Sequence, residues 1–165
     1  MEFIDFLFNA QSSTPKPYAE LYLESKGDTT TSPKQLNACA TQKLLERDFT
    51  NKTGKLSELF DQCLALEKSD SKKFESKIDC TPVLEFLTFE HEHVSASRVI
   101  KTLMNDPKSY QFLDAHYKVV KDGDKPYVIG LFTFRGKNGF GAYVKQTIRM
   151  RRDVAGGEWK PVANN

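Results

Sequence analysis

The sequence contains no apolar run approaching the roughly 18 residues a membrane-spanning helix needs, so no segment is a candidate to cross a bilayer. It has three cysteines, Cys39, Cys63 and Cys80, and they form neither a CxxC pair nor a zinc-ligand spacing. There is no GxSxG elbow, no Walker loop, no dinucleotide fingerprint and no paired-carboxylate motif, which removes the common hydrolase, nucleotide-binding and dehydrogenase signatures. The first residues, Met1-Glu-Phe-Ile-Asp-Phe-Leu-Phe, are apolar but carry Glu2 and Asp5 where a secretory leader is positive. That points to a cytoplasmic protein with no signal peptide. Each cysteine sits in an apolar context, so buried reduced thiols are expected. Asn51-Lys-Thr53 fits a glycosylation acceptor and, without a leader, reads as chance.

What is present suits a globular domain. Of 165 residues, 39% are hydrophobic and 28% charged, enough for a core and too apolar for global disorder. Twelve Phe and six Tyr against one Trp predict a core built on rings as well as aliphatics. The net charge of +2 conceals an asymmetry. Residues 1–80 carry 11 basic and 13 acidic side chains, for −2; residues 81–165 carry 13 and 9, for +4. Between Arg135 and Arg152 lie Arg135, Lys137, Lys145, Arg149, Arg151 and Arg152, with no acidic residue. A local basic patch of this kind permits an anionic partner.

The N-terminal half reads as helices. Phe3, Ile4, Phe6, Leu7 and Phe8 form a helix or strand that plugs into the core, followed by a loop over 11–17. Tyr18, Leu21 and Tyr22 recur at helical spacing after Pro17, which suits a first helical position. Gly27 to Thr31 breaks that segment. Ser32-Pro33 is a cap-and-start signal for a helix carrying Leu36, Cys39, Ala40, Leu44 and Phe49. After a turn at 51–54, Leu56, Leu59, Phe60, Cys63 and Leu64 fall on one helical stripe. These two helices are expected to pack as an antiparallel pair. The charged stretch 69–77 either extends the second helix or links it onward.

The C-terminal half changes grammar. Ser95 or Ser97 caps a short helix with Val99, Ile100 and Leu103 inward, and Asn105-Asp-Pro107 ends it. Three strands follow. The first runs over about 112–120 and ends at the turn Lys121-Asp-Gly-Asp124. The second, over 127–135, is apolar on both faces, with Val128, Phe132 and Phe134 opposite Ile129 and Leu131, which suits a central strand. In the third, Ala142, Val144, Ile148 and Met150 alternate with Tyr143, Lys145, Thr147, Arg149 and Arg151, giving one buried face and one basic ladder. After the turn at 155–157, residues 159–162 add a short edge strand. The expectation is an α+β fold in one domain, with N-terminal helices packed with a C-terminal helix and a three- to four-stranded antiparallel meander. Its possible subdivision falls at residue 80.

Two motifs in this half carry a resemblance. Asp106-Pro-Lys-Ser109-Tyr110, followed by Phe134-Arg-Gly-Lys-Asn138-Gly-Phe140-Gly141-Ala-Tyr-Val144, resembles the C-terminal region of a group of small bacterial and prophage-encoded proteins, some of them lipoproteins. They share a DPxS helix exit and strands joined by an FRGKNxFG hairpin. The resemblance covers about 94–153. It implies a fold unit and a bacterial or phage origin, and carries no activity. The lipobox and apolar leader of the lipoprotein members are not in this sequence.

Four candidate sites follow from the residues. The loop from Arg135 to Gly141 is glycine-rich enough to cradle a phosphate, but a strand rather than a helix follows it, so it reads as a tight hairpin with Asn138-Gly139 at its turn. The ladder Arg135, Lys137, Tyr143, Lys145, Arg149 and Arg151 could seat an acidic protein surface or track a nucleic-acid backbone, or could simply be a solvated sheet face. His91 and His93 would share a face on a strand and form half of a metal site, completed by His116, Asp114 or Cys80. Cys80 could serve as a thiol nucleophile, although the nearby Lys77 and Asp79 cancel and it reads as packing. No cofactor is implied. The leading expectation is a non-enzymatic binding protein whose partner is a protein with an acidic surface. A nucleic-acid-binding accessory protein stands second, and a metal-dependent hydrolase third.

Overall fold

The computed structural model describes residues 17–47, 55–88 and 90–163. The apolar opening with Phe3, Ile4, Phe6, Leu7 and Phe8, the loop from Gln11 up to Pro17, Phe49 and the turn at 51–54 lie outside them. Contacts cluster into two units, the first ending at Thr81 and the second beginning at Pro82. The described residues form six α-helices and one four-stranded antiparallel sheet, an α+β fold. None of these helices is long and apolar enough to cross a membrane.

The first unit is built on α1 (Tyr18–Lys26), α2 (Pro33–Leu45), α3 (Leu56–Ser69) and the short α4 (Ser71–Glu75). Pro17 takes the capping position of α1, and the helix ends on Gly27, whose φ of 67° is the left-handed conformation that a glycine adopts without strain. α1 buries Ala19 and Leu23, while Leu21 is exposed, so its apolar spacing only partly marks the inward face. Ser32 caps α2 as its sequence demands, its hydroxyl accepting from the Gln35 amide at 3.4 Å. α3 ends at Ser69 and Asp70 caps a new turn by accepting from the Lys73 amide, so the charged stretch starts a separate helix that buries Phe74. Two buried polar side chains of α2 hold the chain that returns past it. Thr41 accepts from the Cys80 amide, and Gln42 accepts from the Ile78 amide.

One expectation is corrected here. Cys39 of α2 and Cys63 of α3 are joined in a disulfide, and both are fully buried. The paired stripes of the two helices place the thiols against each other, so two of the three cysteines are not reduced. Cys80 alone is free, and it is buried.

α5 (Thr81–Leu84) leads into the second unit, which continues with α6 (Val94–Leu103), a 3-10 turn (Pro107–Ser109) and strands β1 (Gln111–Val120), β2 (Tyr127–Lys137), β3 (Tyr143–Asp153) and β4 (Lys160–Pro161). The sheet order is β1-β2-β3-β4, every pair antiparallel. Neither Ser95 nor Ser97 caps α6: His93 holds that position without a side-chain bond. Both hydroxyls turn to other partners, described below.

The inner face of the sheet carries Ala115 and Tyr117 from β1, Val128, Phe132 and Phe134 from β2, and Met150 from β3, all buried. Trp159 completes this core. Its ring stands edge-on to Phe132, with centroids 5.1 Å apart, and Gly130 lies directly beneath both rings. A Cβ at Gly130 would come within 2.5 Å of the Phe132 ring, so only glycine lets the aromatic pair sit down on the strand. Burial of each ring contributes about 2–3 kcal/mol.

Candidate interaction surface

The strand registers build the site. In an antiparallel pair, residues directly opposite share a face. β2 pairs Ile129 with Arg151, Leu131 with Arg149, Thr133 with Thr147, Arg135 with Lys145 and Lys137 with Tyr143. β1 continues the same rows with Lys118 opposite Ile129, His116 opposite Leu131 and Asp114 opposite Thr133. All six residues of the expected ladder (Arg135, Lys137, Tyr143, Lys145, Arg149 and Arg151) therefore lie on the outer face of one sheet.

The ladder is wider than the basic run in sequence. Lys118 of β1 and Lys160 of β4, opposite Arg151, add a sixth and a seventh cation, contributions that only the register reveals. Against seven cations the face sets two carboxylates, Asp114 and Asp153, and both are engaged. Asp114 takes the His116 ring nitrogen at 2.8 Å, and Asp153 stands 3.9 Å from Arg151. The centre of the face is apolar. Ile129 is half-buried and Leu131 is 41% exposed, so the second apolar face of β2 is not buried within the fold. The tyrosine rings already have cations over them. The Arg151 guanidinium lies 3.7 Å from the Tyr127 centroid, and Lys137 lies 5.5 Å from that of Tyr143.

Arg152 leaves the patch. It belongs to the opposite parity of β3, points inward and is buried. Its Nε donates to the Gly157 carbonyl at 3.1 Å, Nη2 to the Pro82 carbonyl at 3.4 Å, and Nη1 to His93 Nε2 at 2.8 Å. On the other side of that imidazole, Nδ1 meets the Ser95 hydroxyl at 3.0 Å and the Trp159 indole N–H at 3.1 Å. Two groups that can only donate, guanidinium and indole, thus face the two ring nitrogens. Burial above all, then the Arg152 charge, pushes the His93 pKa down to about 3. Burial also lowers that of Arg152.

His91 and His93 do not form a two-histidine arm on a strand. They sit in the tight turn between Leu87 and His93, where His91 takes a φ of 67°. The His91 ring is buried edge-on against Tyr117, at 4.7 Å, and the Tyr117 hydroxyl donates to the His91 carbonyl at 2.8 Å. A metal ion at His93 would have to displace a cation from Nε2 or the indole from Nδ1. Among the described residues no three His, Cys, Asp or Glu side chains gather as a metal site.

Beside this cluster, Ser97 donates to the Glu92 carboxylate and lies 2.8 Å from the Tyr110 hydroxyl. Burial, reinforced by the Glu92 carboxylate, raises the Tyr110 pKa to about 12. Cys80 is no activated thiol. Burial, with the Glu46 and Asp79 carboxylates adding to it, pushes its pKa up to about 12.

The glycine-rich loop is a closed hairpin tip. Asn138 Oδ1 accepts from the amides of Phe140 at 3.0 Å and Ala142 at 3.1 Å, and its carbonyl accepts from Gly141 at 3.0 Å. These amides face Asn138 rather than a ligand, which leaves no phosphate cradle at these positions. The two motifs of the resemblance meet in space. Ser109, at the end of the DPxS turn, accepts from the Lys137 amide at 2.8 Å, and Met104 packs onto Gly136.

Comparison of the chain with protein-family models, with curated proteins and with solved structures finds no match in any of the three.

Proposed function

We propose that this chain is a non-enzymatic binding protein of bacterial or phage origin, and that the outer face of its sheet docks an acidic surface of a protein partner. The observation that carries the reading is the composition of that face. Seven cations from four strands surround half-exposed Ile129 and exposed Leu131, with only Asp114 and Asp153 to offset them. An aliphatic centre within a rim of charges, with arginine and tyrosine prominent, is the anatomy of a protein interface. The partner would supply carboxylates around an apolar centre.

A nucleic-acid backbone is the second reading, favoured by the same cations and by Tyr143, which is 52% exposed. A single-strand platform uses free aromatic faces for base stacking. Here Arg151 already covers Tyr127, Lys137 stands over Tyr143, and the centre is aliphatic, so the protein partner is favoured.

The disulfide bears on location. Buried disulfides persist in oxidising compartments and are rare in the cytoplasm. It supports a periplasmic or extracellular setting over the cytoplasmic one that the sequence suggests.

The test uses the protein as bait in a bacterial extract, followed by titration of the purified captured protein against wild type and an Arg149→Glu, Arg151→Glu variant. The expected result is a dissociation constant raised by about 100-fold or more in the variant, with salt-sensitive binding in the wild type. Labelled DNA and RNA oligonucleotides serve as the parallel arm. Salt-dependent oligonucleotide binding lost in the variant would replace the protein reading with the second one.

A further inference from the structure

We propose that Phe140, at the tip of the β2–β3 hairpin, is the anchor that enters an apolar pocket of the partner, and that carboxylates line the rim of that pocket. The inference rests on the reading of the outer sheet face as a protein-docking surface, and it adds the residue and the pocket chemistry. Phe140 is 98% exposed, the most exposed of the large apolar side chains in the described residues. A ring held almost wholly in water does nothing for the fold. Its burial on association would be worth a large part of a binding energy.

The tip is built to hold the ring out. Asn138 gathers the amides of Phe140, Gly141 and Ala142, and its own N–H donates to the Ala142 carbonyl at 2.9 Å. Gly141 takes a φ of 81°, a backbone conformation that L side chains rarely adopt. The base of the hairpin is buttressed in turn. Ser109 holds the Lys137 amide, and Met104 fills the space that a side chain at Gly136 would need. A turn fixed from both sides loses little conformational entropy on binding, which is what an anchor residue requires.

Charge identifies the pocket's rim. No acidic residue occurs between Asp124 and Asp153, and the rows behind the tip are Lys137 with Tyr143, then Arg135 with Lys145. A cleft of about 100 Å³ lined by Leu103, Met104, Asn105, Gly136, Lys137, Asn138 and Gln146 adjoins the hairpin base. Leu103, at that cleft, is 58% exposed. The surface thus offers one projecting ring with the cationic rows behind it, while the recess takes Gly136 and Gln146 from the opposite parity of the strands. The complementary surface is a protein with an apolar pocket for the ring and carboxylates at the rim of that pocket.

The test selects random peptides displayed on phage against the immobilised full-length protein, then titrates the enriched peptides in solution. Wild type is compared with Phe140→Ala, Phe140→Leu and the Arg149→Glu, Arg151→Glu variant. Because the ring is exposed, Phe140→Ala is expected to leave the unfolding transition followed by Trp159 fluorescence unchanged. The inference expects peptides that combine Asp or Glu with apolar residues, an affinity loss of about 10- to 100-fold in Phe140→Ala, and partial recovery in Phe140→Leu. Acidic peptides that bind Phe140→Ala and wild type alike, while failing on the charge-reversal variant, would overturn the anchor and leave the docking face standing. No enrichment of acidic peptides would overturn both. Phe140-dependent binding to vesicles of phosphatidylcholine and phosphatidylglycerol, without such peptides, would assign the tip to a lipid surface instead.

Discussion

His93 should make the second unit sensitive to mild acid. The imidazole is fully buried between Arg152 and Trp159, and its pKa falls from 6.5 to about 3. Between those values the unfolded chain takes up a proton that the folded chain refuses. A depressed basic group of this kind leaves stability intact above pH 6.5 and removes it progressively as the pH falls toward 3. The slope is about 1.4 kcal/mol per pH unit within that window. From pH 7.5 to pH 5 the loss works out at about 2 kcal/mol, a large share of a typical domain's stability. The assay is urea unfolding followed by the fluorescence of Trp159, the only tryptophan in the chain, which is buried against His93 itself. His93→Gln is the control. Glutamine can accept from Arg152 but does not titrate, so the variant should start about 1–3 kcal/mol less stable at pH 7.5 and then lose about 2 kcal/mol less on going to pH 5. Parallel stability losses in wild type and His93→Gln would refute the reasoning, because they would show that the buried imidazole is not the group taking up the proton.

The disulfide and the close contacts supply further tests. Reduction of Cys39–Cys63, which closes a loop of 24 residues, should destabilise the helical unit by about 3–4 kcal/mol, measured by helical circular dichroism during urea unfolding with and without reductant. Maleimide added to denatured, unreduced protein should label one thiol, Cys80, and after reduction three; three labels without reduction would remove the disulfide. In the folded state Cys80 should resist the same reagent at neutral pH, since it is buried and its thiol pKa lies near 12. Gly130→Ala should cost about 2–3 kcal/mol in the Trp159 unfolding assay, because its methyl would collide with the rings of Phe132 and Trp159. Gly136→Ala should cost less, about 1 kcal/mol, because the group it meets is the flexible end of Met104.

Where one physical rule acts alone, the fold was legible. Ser32-Pro33 starts a helix because a hydroxyl satisfies an orphan amide and proline needs none, and the structure starts α2 there. The alternation along β3 required only the two-residue period of a strand. Where two rules compete, the sequence misleads. Ser95 and Ser97 look like caps, yet a buried imidazole and a half-buried carboxylate–phenol pair compete for the same hydroxyls and take them. The disulfide left a signal, since Cys39 and Cys63 lie on the apolar stripes of two helices expected to pair. The expectation of a reducing compartment outweighed it, and a separation of 24 residues has no motif to announce it.

The site divides along the same line. Membership of the outer face follows from parity within a single strand, so Lys145, Arg149 and Arg151 could be placed from β3 alone. Its extent depends on register between strands, which is set by the hairpin turn and by the bulge after Phe112, and no property of Lys118 in sequence says that it faces Ile129. The same parity shows why Arg152 differs from its neighbour. One step along the strand turns a cation from solvent to core, and there it is tolerated because Gly157, Pro82 and His93 each accept from its guanidinium. Adjacent arginines of the same charge thus do opposite things: Arg151 dresses the exposed face of the sheet, and Arg152 holds the core behind it. Charge counted along the chain measures neither. Row by row across the sheet, the face is apolar at its centre and cationic at its rim, a pattern that the basic run in sequence does not contain.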